Sequence, residues 1–159
     1  MTFSIREATN TDMSRVLELI HELAVFEKEP DAVEITVEDL QKGAFETPKQ
    51  FVCFVADCEG TIEGIALVYN RFSTWKGSVL HLEDLIVSQN MRGTGLGTAL
   101  LDTVVKYGHS LGVKRICWEV IDWNEPAITF YEKKGANVKR DWDIVHLNED
   151  AIKNYISNI

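Results

Sequence analysis

The 159-residue sequence predicts a single α/β domain with a mixed sheet, spanning residues 1–159. Three observations lead to this fold class. Strand-prone and helix-prone segments alternate in the order β-α-α-β-β-β-α-β-α-β, a short Glu59-Gly60 turn joins two of the strands, and a glycine-rich loop separates a long strand from an amphipathic helix. A short turn predicts an antiparallel hairpin, whereas a strand, a crossover helix and a further strand predict a parallel pair.

The N-terminal part predicts one strand and two helices. Phe3–Arg6 alternates as a strand does, and a helix follows from a cap near Thr11. The apolar face of this helix consists of Met13, Val16, Leu17, Ile20, Leu23 and Ala24. Glu27–Asp31 predicts an exposed acidic turn. Thr36-x-x-Asp39 resembles a capping box and predicts the start of a second, short helix.

The middle of the chain predicts a hairpin followed by a crossover unit. The hairpin strands are Phe51–Asp57 and Ile62–Tyr69, and a third strand covers Ser78–Val87. The glycine loop and its helix occupy Met91–Ser110, with Leu96, Leu100, Leu101, Val104 and Val105 spaced for one helical face. The next strand-prone run is Lys114–Ile121.

The C-terminal part predicts a helix, a last strand and a short terminal helix. Asn124 is a plausible cap, Pro126 suits the first turn, and Gly135 provides the C-terminal stop. The last strand is predicted near Trp142–Leu147.

Composition excludes several classes of protein. The formal net charge is −9, which argues against a nucleic-acid surface and is compatible with a cationic substrate. We find no apolar run long enough for a membrane span and no signal peptide. Cys53, Cys58 and Cys117 are odd in number and form no C-x-x-C motif, so we expect reduced thiols in a cytoplasmic protein.

Three glycines, Gly93, Gly95 and Gly97, follow the third predicted strand and precede the helix. Glycine allows successive backbone N–H groups to face one concavity without a Cβ in the way, and the helix N-terminus adds partial positive charge. Arg92 can add a fixed charge at the edge. The arrangement is typical of a site for phosphate or pyrophosphate.

The spacing restricts which phosphorylated ligand fits this loop. A P-loop needs Lys and then Ser or Thr after its last glycine, but Gly97 is followed by Thr98-Ala99. A dinucleotide fingerprint needs a glycine in place of Thr98 and an acidic residue about 20 residues further on, and neither is present. Arg92-x-x-Gly95-x-Gly97 remains, and a glycine-rich turn without a ligand is the alternative.

Two carboxylates, Glu83 and Asp84, lie in an otherwise apolar predicted strand. Neighbouring strand residues face opposite sides, so the two should not share one proton unless a bulge intervenes. His81 and Glu83 share a face and could suggest a metal, but no third ligand has convincing spacing. We therefore predict no metal site.

The helix that begins near Pro126 contains a second motif. Tyr131 on this helix is by default a core residue whose hydroxyl reaches the surface. From Asn124 to Gly135, however, the sequence matches N-x-x-A-x-x-F-Y-x-x-x-G, which together with the glycine loop resembles the two ordered signatures of the GNAT family of N-acetyltransferases. Three segments are similar to the diamine (spermidine/spermine) and thialysine acetyltransferase subgroup, namely Ile20–Glu27, Leu82–Val87 and Trp123–Pro126.

The resemblance implies a GNAT-type fold, in which a mixed, mostly antiparallel central sheet is flanked by helices and a strand–glycine loop–helix unit binds acetyl-CoA. The backbone of the strand end would pair with the pantetheine arm, the loop would hold the pyrophosphate, and Asn124 would help to hold the arm. The cofactor-binding residues are then Leu85, Ile86, Val87, Arg92, Gly93, Thr94, Gly95, Leu96, Gly97, Thr98, Asn124 and Tyr131.

The same resemblance implies the catalytic roles. Tyr131 would act as general acid toward the CoA sulfur, and Glu83 would serve the substrate amine as a base through water or as an anchor. Glu27 and Trp75 match substrate-lining positions, and we count Asp84 with them. The acceptor would be a small primary amine that attacks directly, without a covalent enzyme intermediate, and the enzyme would be a homodimer.

The sequence departs from the polyamine enzymes near the C-terminus. Lys139 and Arg140 stand where those enzymes have an acidic stretch, and Phe26 replaces a tyrosine. Basic side chains would repel a polycation and could hold a carboxylate instead. A lysine-like amino acid therefore competes with a polyamine as acceptor. Acetylation of a protein lysine or N-terminus, and a sensor that binds acyl-CoA without turnover, are the further alternatives.

Overall fold

The computed structural model describes residues 2–159, which form two compact units. The first unit ends at Glu119, and the second spans Val120–Ile159. The organisation of 1–159 as a single domain stays a prediction. No helix within residues 2–159 is long and apolar enough to cross a membrane.

The first unit contains the whole sheet and three helices. Its strands are β1 (Ser4–Glu7), β2 (Val52–Cys58), β3 (Thr61–Ser73), β4 (Gly77–Val87) and β5 (Ile116–Cys117). Its helices are α1 (Met13–Phe26), α2 (Val37–Phe45) and α3 (Leu96–Ser110). Single 3₁₀ turns precede α1 and the glycine loop.

The five strands lie in the order β1-β2-β3-β4-β5, so each strand pairs with its neighbour in sequence. The first three pairs are antiparallel, whereas β4 and β5, which α3 connects, are parallel. The predicted mixed, mostly antiparallel sheet with one parallel crossover is confirmed. The predicted hairpin is also present, and Glu59 and Gly60 in its turn both have positive φ, as a type I′ turn requires.

Helices cover both faces of this sheet. Apolar residues of α1 and α2 pack with Val55, Ile65 and Ile86 in one buried cluster. Phe54, the neighbour of Val55 on β2, contacts Tyr107 of α3 with ring centroids 5.3 Å apart. Because adjacent strand residues face opposite sides, α3 packs on the other face. The predicted α3 face is buried at Leu96, Leu100, Leu101 and Val104, but Val105 is 48 % exposed, so its assignment was wrong.

The loop and helix predicted over Met91–Ser110 are present, and the helix begins at Leu96 because Gly93 and Gly95 have positive φ and cannot belong to a right-handed helix. Two strands differ in length from the prediction. Strand β3 continues to Ser73, beyond the predicted end at Tyr69. The strand predicted over Lys114–Ile121 is reduced to two residues, since only Ile116–Cys117 is paired. The capping box of α2 is confirmed, with the Thr36 hydroxyl accepting from the Asp39 N–H.

The second unit contains two helices, α4 (Glu125–Lys133) and α5 (Glu149–Ser157). Helix α4 begins as predicted, with Oδ1 of Asn124 accepting from the Ala127 N–H at 3.4 Å. The predicted strand near Trp142–Leu147 is wrong, because this segment is irregular. A strand forms only where a partner accepts its backbone hydrogen bonds, and alternation of apolar residues does not provide that partner.

Candidate active site

A β-bulge interrupts the pairing of β4 with β3 at the two carboxylates. Leu82 is opposite Val68 and Asp84 is opposite Leu67, so Glu83 has no direct partner across the pair. A bulge redirects side chains and increases the local twist, and bulges are frequent beside active sites. The sequence predicts that Glu83 and Asp84 face opposite sides of the sheet unless a bulge intervenes, and that bulge is present.

Three carboxylates interact electrostatically around this bulge. Burial raises the pKa of Asp84 to about 6, with further contributions from the negative charges of Glu83 and Glu27. Glu27 lies at the C-terminal end of α1, and burial raises its pKa as well. The Glu83 side chain is 54 % exposed. The assignment of these three residues to the substrate-binding site stays a prediction.

Three further titratable side chains, those of His81, Cys117 and Tyr69, form a connected group beside Glu83. Nε2 of His81 lies 3.4 Å from Oε2 of Glu83, and Nδ1 of His81 lies 3.5 Å from Sγ of Cys117 on β5. The ring of Tyr69 on β3 stacks at a tilt on His81, with centroids 5.0 Å apart. Within residues 2–159, no group of three or more acidic, His and Cys side chains could hold a metal ion.

The C-terminal half of β4 has a strand partner on one side only. Leu85, Ile86 and Val87 pair with Ala66, Ile65 and Gly64 of β3. On the other side, β5 pairs with β4 only at Leu80 and His81, and no strand of residues 2–159 continues that ladder. Backbone groups on this edge are therefore available to an extended ligand.

The glycine loop follows directly, and two of its glycines have left-handed backbone conformations. Gly93 and Gly95 have φ values of 76° and 95°, and Gly95 is the N-cap of α3 without a side chain that could cap the helix. A Cβ at either position would meet nothing within 4 Å, so the backbone conformation, not crowding, requires glycine. The first N–H groups of a helix have no intrahelical acceptor. They can donate to a phosphate.

Gly97 differs from the other two loop glycines. It lies within α3 in a right-handed helical conformation, and a Cβ there would meet Cγ2 of Val87 at an ordinary 3.8 Å. The protein fold by itself therefore tolerates alanine at this position.

Arg92 is held beside the loop by two contacts. Its Nε donates to the carbonyl of Val87 at 3.4 Å, and its guanidinium lies 5.0 Å from the ring centroid of Phe26 at the end of α1. The planar guanidinium can stack on an aromatic ring and keep its charge available. Phe26, noted in the sequence only as a departure from the family, thus supports the predicted anion-binding residue.

Sequence reasoning missed the contacts that fix the start of the loop. The buried Ser88 hydroxyl contacts Glu63 and donates to Oδ1 of Asn90 at 2.9 Å. The Gln89 N–H donates to Oε1 of Glu22 at 2.8 Å, which joins the loop to α1. A serine at the junction of a strand and a glycine-rich loop is a weak signal, and the contacts with Glu22 and Glu63 depend on tertiary packing.

The remaining predicted residues have the following local environments. Tyr131 lies on α4 and is buried, with 9 % exposure, whereas Trp75 lies in the turn between β3 and β4 and is 76 % exposed. Asn124 uses Oδ1 as the α4 cap. Arg140 contacts Oε1 of Glu125 at 3.5 Å and the carbonyl of Asp122 at 3.3 Å. Part of its charge is therefore balanced within the second unit.

Comparison with known proteins identifies the class. Residues 14–136 match the model of the acetyltransferase (GNAT) family. The chain therefore belongs to the GNAT family, and the fold class and enzyme class predicted from the sequence, an N-acetyltransferase, are confirmed. Enzymes of this family use acetyl-CoA.

Individual relatives are similar over most of the chain. A thialysine N-epsilon-acetyltransferase from Bos taurus is 34% identical over 140 residues, which cover 83% of this chain and 82% of the relative. A spermidine/spermine N(1)-acetyltransferase-like protein 1 from Homo sapiens is 29% identical over 94% of this chain and 23% of its own length. An aminoglycoside N-acetyltransferase solved in complex with CoA superposes with a TM-score of 0.76, at 16% identity, over 91% of this chain and 94% of that one.

Proposed function

We propose that the protein transfers the acetyl group of acetyl-CoA to a primary amine of a small diamine or lysine-like molecule. The observation on which this proposal depends is the position of the carboxylate cluster of Glu27, Glu83 and Asp84 in the first unit. Glu83 and Asp84 lie on the strand that leads directly into the glycine loop. One continuous segment thus provides negative charge for an amine and backbone donors for a phosphorylated ligand.

The glycine loop supports acetyl-CoA as the donor. Positive φ at Gly93 and Gly95, the uncapped start of α3 and the guanidinium of Arg92 all suit a pyrophosphate. The one-sided edge of β4 at Leu85–Val87 suits an extended pantetheine arm, because it can add strand-like hydrogen bonds.

The carboxylates support a cationic acceptor. An alkyl ammonium with a pKa near 10.4 is mostly protonated at neutral pH and is attracted to the acidic cluster. A second amino group of a diamine would interact with the carboxylate that the first leaves unpaired. For Asp84 a bound cation also offsets the cost of ionisation in a buried place, where its pKa is about 6.

The chemistry assigned to this chain consists of two proton transfers. Acetyl-CoA, when bound, supplies the acetyl group through its thioester. Glu83 accepts the proton that the ammonium must lose, directly or through water, so that the amine nitrogen can form the new C–N bond. Tyr131 donates its hydroxyl proton to the sulfur as the C–S bond breaks, since a phenol with a pKa near 10 is protonated at neutral pH. The acylated nitrogen releases its second proton to water, and Glu83 and Tyr131 return to their starting protonation states by exchange with water. No enzyme nucleophile takes part in this scheme.

Acceptors other than a diamine make different demands on the site. A lysine-like substrate needs a cation for its α-carboxylate, and the contact of Arg140 with Glu125 reduces the charge that Arg140 offers. A protein lysine needs a broad groove. A sensor without turnover needs neither Glu83 nor Tyr131. The acidic cluster favours the small cationic amine.

An acceptor panel tests the proposal. CoA release from acetyl-CoA is measured with polyamines, lysine analogues, aminoglycosides and a lysine peptide. We expect release that depends on a diamine or on a lysine-like amine. Acetyl-CoA binding without release for any acceptor would favour the sensor, and release with the peptide alone would favour a protein substrate.

We further propose that the enzyme is a homodimer in the cytoplasm. The C-terminal segment exposes alternating apolar residues, with Trp142 66 % and Val145 88 % exposed, and α5 exposes Ile156 at 63 %. A chain rarely exposes such a series to water, and a strand of a second copy is the partner that this alternation fits. The three cysteines are free, which suits a reducing compartment.

Light scattering tests the dimer. Val145→Asp places a charge in the apolar segment and is expected to shift the mass toward that of a monomer. Ala32→Asp adds the same charge at another exposed position and should leave the mass unchanged. A wild-type mass of one chain at all concentrations would contradict the proposal.

A further inference from the structure

His81 is the centre of a group of side chains that the proposed scheme does not use. It is 7 % exposed, and its two ring nitrogens face two different partners. Nε2 lies 3.4 Å from Oε2 of Glu83, and Nδ1 lies 3.5 Å from Sγ of Cys117. The two partners come from different strands, since Glu83 lies on β4 with His81, and Cys117 is the register partner of His81 on β5.

We propose that His81 is a positioning residue for Glu83, and that Cys117 selects the His81 tautomer with the proton on Nε2. The inference rests on the proposed function, because it assigns a task to the carboxylate that serves the amine. It adds His81 and Cys117 to the site, as residues whose side chains need not touch the substrate.

The tautomer follows from the two neighbours. A neutral imidazole has one N–H donor and one acceptor nitrogen. The Cys117 Sγ lies 3.5 Å from Nδ1 and 3.8 Å from the Leu80 carbonyl, so its one proton has two acceptors within reach. When the thiol donates to Nδ1, the ring proton is on Nε2 and faces Glu83. The opposite tautomer would place the Nε2 lone pair 3.4 Å from an ionised carboxylate, which is repulsive in a partly buried place. Glu83 thus favours the proton on Nε2, and a thiol that donates to Nδ1 favours the same tautomer.

A second positioned donor matters because, apart from its hydrogen bond with Tyr69, Glu83 is loosely held. Its side chain is half exposed and the residue lies at the bulge, without a direct partner on β3. A carboxylate that accepts a proton from an amine must have a defined position, and freedom at that group lowers the rate. Shortening the 3.4 Å contact by a few tenths of an ångström would give a hydrogen bond of ordinary length. Catalytic hydrogen bonds are often long before the substrate binds.

Tyr69 on β3 contacts the same carboxylate. Its pKa is raised by burial first, and then by the negative charge of Glu83 and a hydrogen bond to it. The phenol therefore stays protonated, and it packs on the face of the His81 ring. The remaining charge that affects this group is that of Asp84, which interacts with Glu83 and also with Glu27.

A double-mutant cycle tests the positioning role in the full-length enzyme. His81→Leu is measured alone and together with Glu83→Gln, with kcat determined at saturating acetyl-CoA for the acceptor that the wild type uses best. We expect His81→Leu to lower kcat about 10-fold in the wild type and less than about 2-fold in the Glu83→Gln background. An equal loss in both backgrounds would mean that His81 acts independently of Glu83 and would overturn the proposal.

Conservative variants separate positioning from folding. His81→Gln retains an N–H near the place of Nε2 and should recover most of the activity lost in His81→Leu. Cys117→Ser retains a donor for Nδ1, whereas Cys117→Ala removes it, so only the alanine variant should lower kcat. Melting temperatures are compared for all variants. A loss of activity that follows the melting temperature, rather than the presence of the donor, would overturn the assignment.

Nitrogen NMR of the imidazole rings tests the tautomer without any turnover. His81→Leu identifies the His81 signals among those of the four histidines. We expect the neutral ring to have its proton on Nε2 in the wild type and in Cys117→Ser, and to become a mixture of tautomers in Cys117→Ala. A proton on Nδ1 in the wild type would overturn the inference.

The two levels of the proposal fail differently. If none of the tested amines causes the wild type to release CoA, the proposed function fails, and the NMR measurement still decides the tautomer. If the wild type is active and the cycle is additive, the function stands and the role of His81 is refuted.

Discussion

The acidic cluster and the glycine loop are built in opposite ways, although Glu83 and Asp84 of the cluster lie shortly before the loop along the chain. The cluster consists of side chains, Glu27, Glu83 and Asp84, whose charges interact and whose pKa values depend on burial. The loop consists of backbone, with positive φ at Gly93 and Gly95 and the start of α3 behind them. Proton chemistry thus depends on titratable groups, whereas binding of the donor depends on conformation.

This difference has a consequence for the enzyme. Changes at the cluster should alter turnover and its pH dependence while the affinity for acetyl-CoA stays unchanged. Changes in the loop should alter the affinity for acetyl-CoA, with little effect on pH dependence. The following substitutions test this separation.

The largest effect is expected for Glu83→Gln. The amide cannot accept a proton from the amine, so kcat/KM for the acceptor should fall by about 10²–10⁴-fold. The dissociation constant of acetyl-CoA, measured by calorimetry, should change less than about twofold because the loop is intact. Glu34→Gln, which removes one negative charge at an exposed position, is the matched control. Equal turnover of Glu83→Gln and the control would refute the assigned role.

Tyr131→Phe should lower kcat by about 10- to 100-fold, since the leaving sulfur loses its proton donor. Binding of acetyl-CoA should be preserved. Tyr155→Phe, at an exposed position of α5, removes the same hydroxyl group elsewhere and should behave as wild type. Near-wild-type turnover of Tyr131→Phe across the pH range would exclude Tyr131 as the acid.

Gly95→Ala tests the backbone side of the comparison. At φ 95° a Cβ is strained, at a cost of about 1–2 kcal/mol, so either the free energy of unfolding or the loop conformation must change. We expect about 10-fold weaker acetyl-CoA binding and an unchanged KM for the amine at saturating acetyl-CoA. Gly97→Ala is the control, because that position is helical and spacious. It should bind normally and stabilise the fold by up to about 1 kcal/mol.

The smallest effect is expected for Asp84→Asn, and it depends on pH. The folded-state pKa of about 6 is above the ordinary value of 3.8, so the native state binds the proton more tightly than the unfolded chain does. The contribution of Asp84 to stability is therefore fully present below pH 4 and is lost as the pH rises through 6.

Denaturant titrations measure this difference. As the pH rises from 4 to 7, the free energy of unfolding of Asp84→Asn should increase relative to that of the wild type, on the order of 1 kcal/mol. The KM of Asp84→Asn for a diamine should be several-fold higher than that of the wild type at pH 7.5. Glu34→Gln again serves as control. A stability difference that is constant across this pH range would show that Asp84 titrates normally.

The elements beside the site could be predicted to different extents. The capping box of α2 and the Asn124 cap of α4 were predictable because capping depends on residues within one turn. The strand predicted at Trp142–Leu147 has the same alternation as a true strand, but alternation does not provide a hydrogen-bonding partner. Val105 has helical spacing and is nevertheless half exposed, because the width of the buried face depends on what packs against it.

The sequence by itself determined the glycine loop and the motif around Tyr131, since both depend on residue types at short, fixed spacing. They were sufficient for the family. Only the tertiary structure decided the chemistry of the carboxylates. The bulge at Glu83 depends on how β4 pairs with β3, and the position of His81 between Glu83 and Cys117 depends on how β4 pairs with β5. The raised pKa of Asp84 depends on burial in the folded chain. Pairing involves two strands together, so the pattern of one strand alone does not specify it.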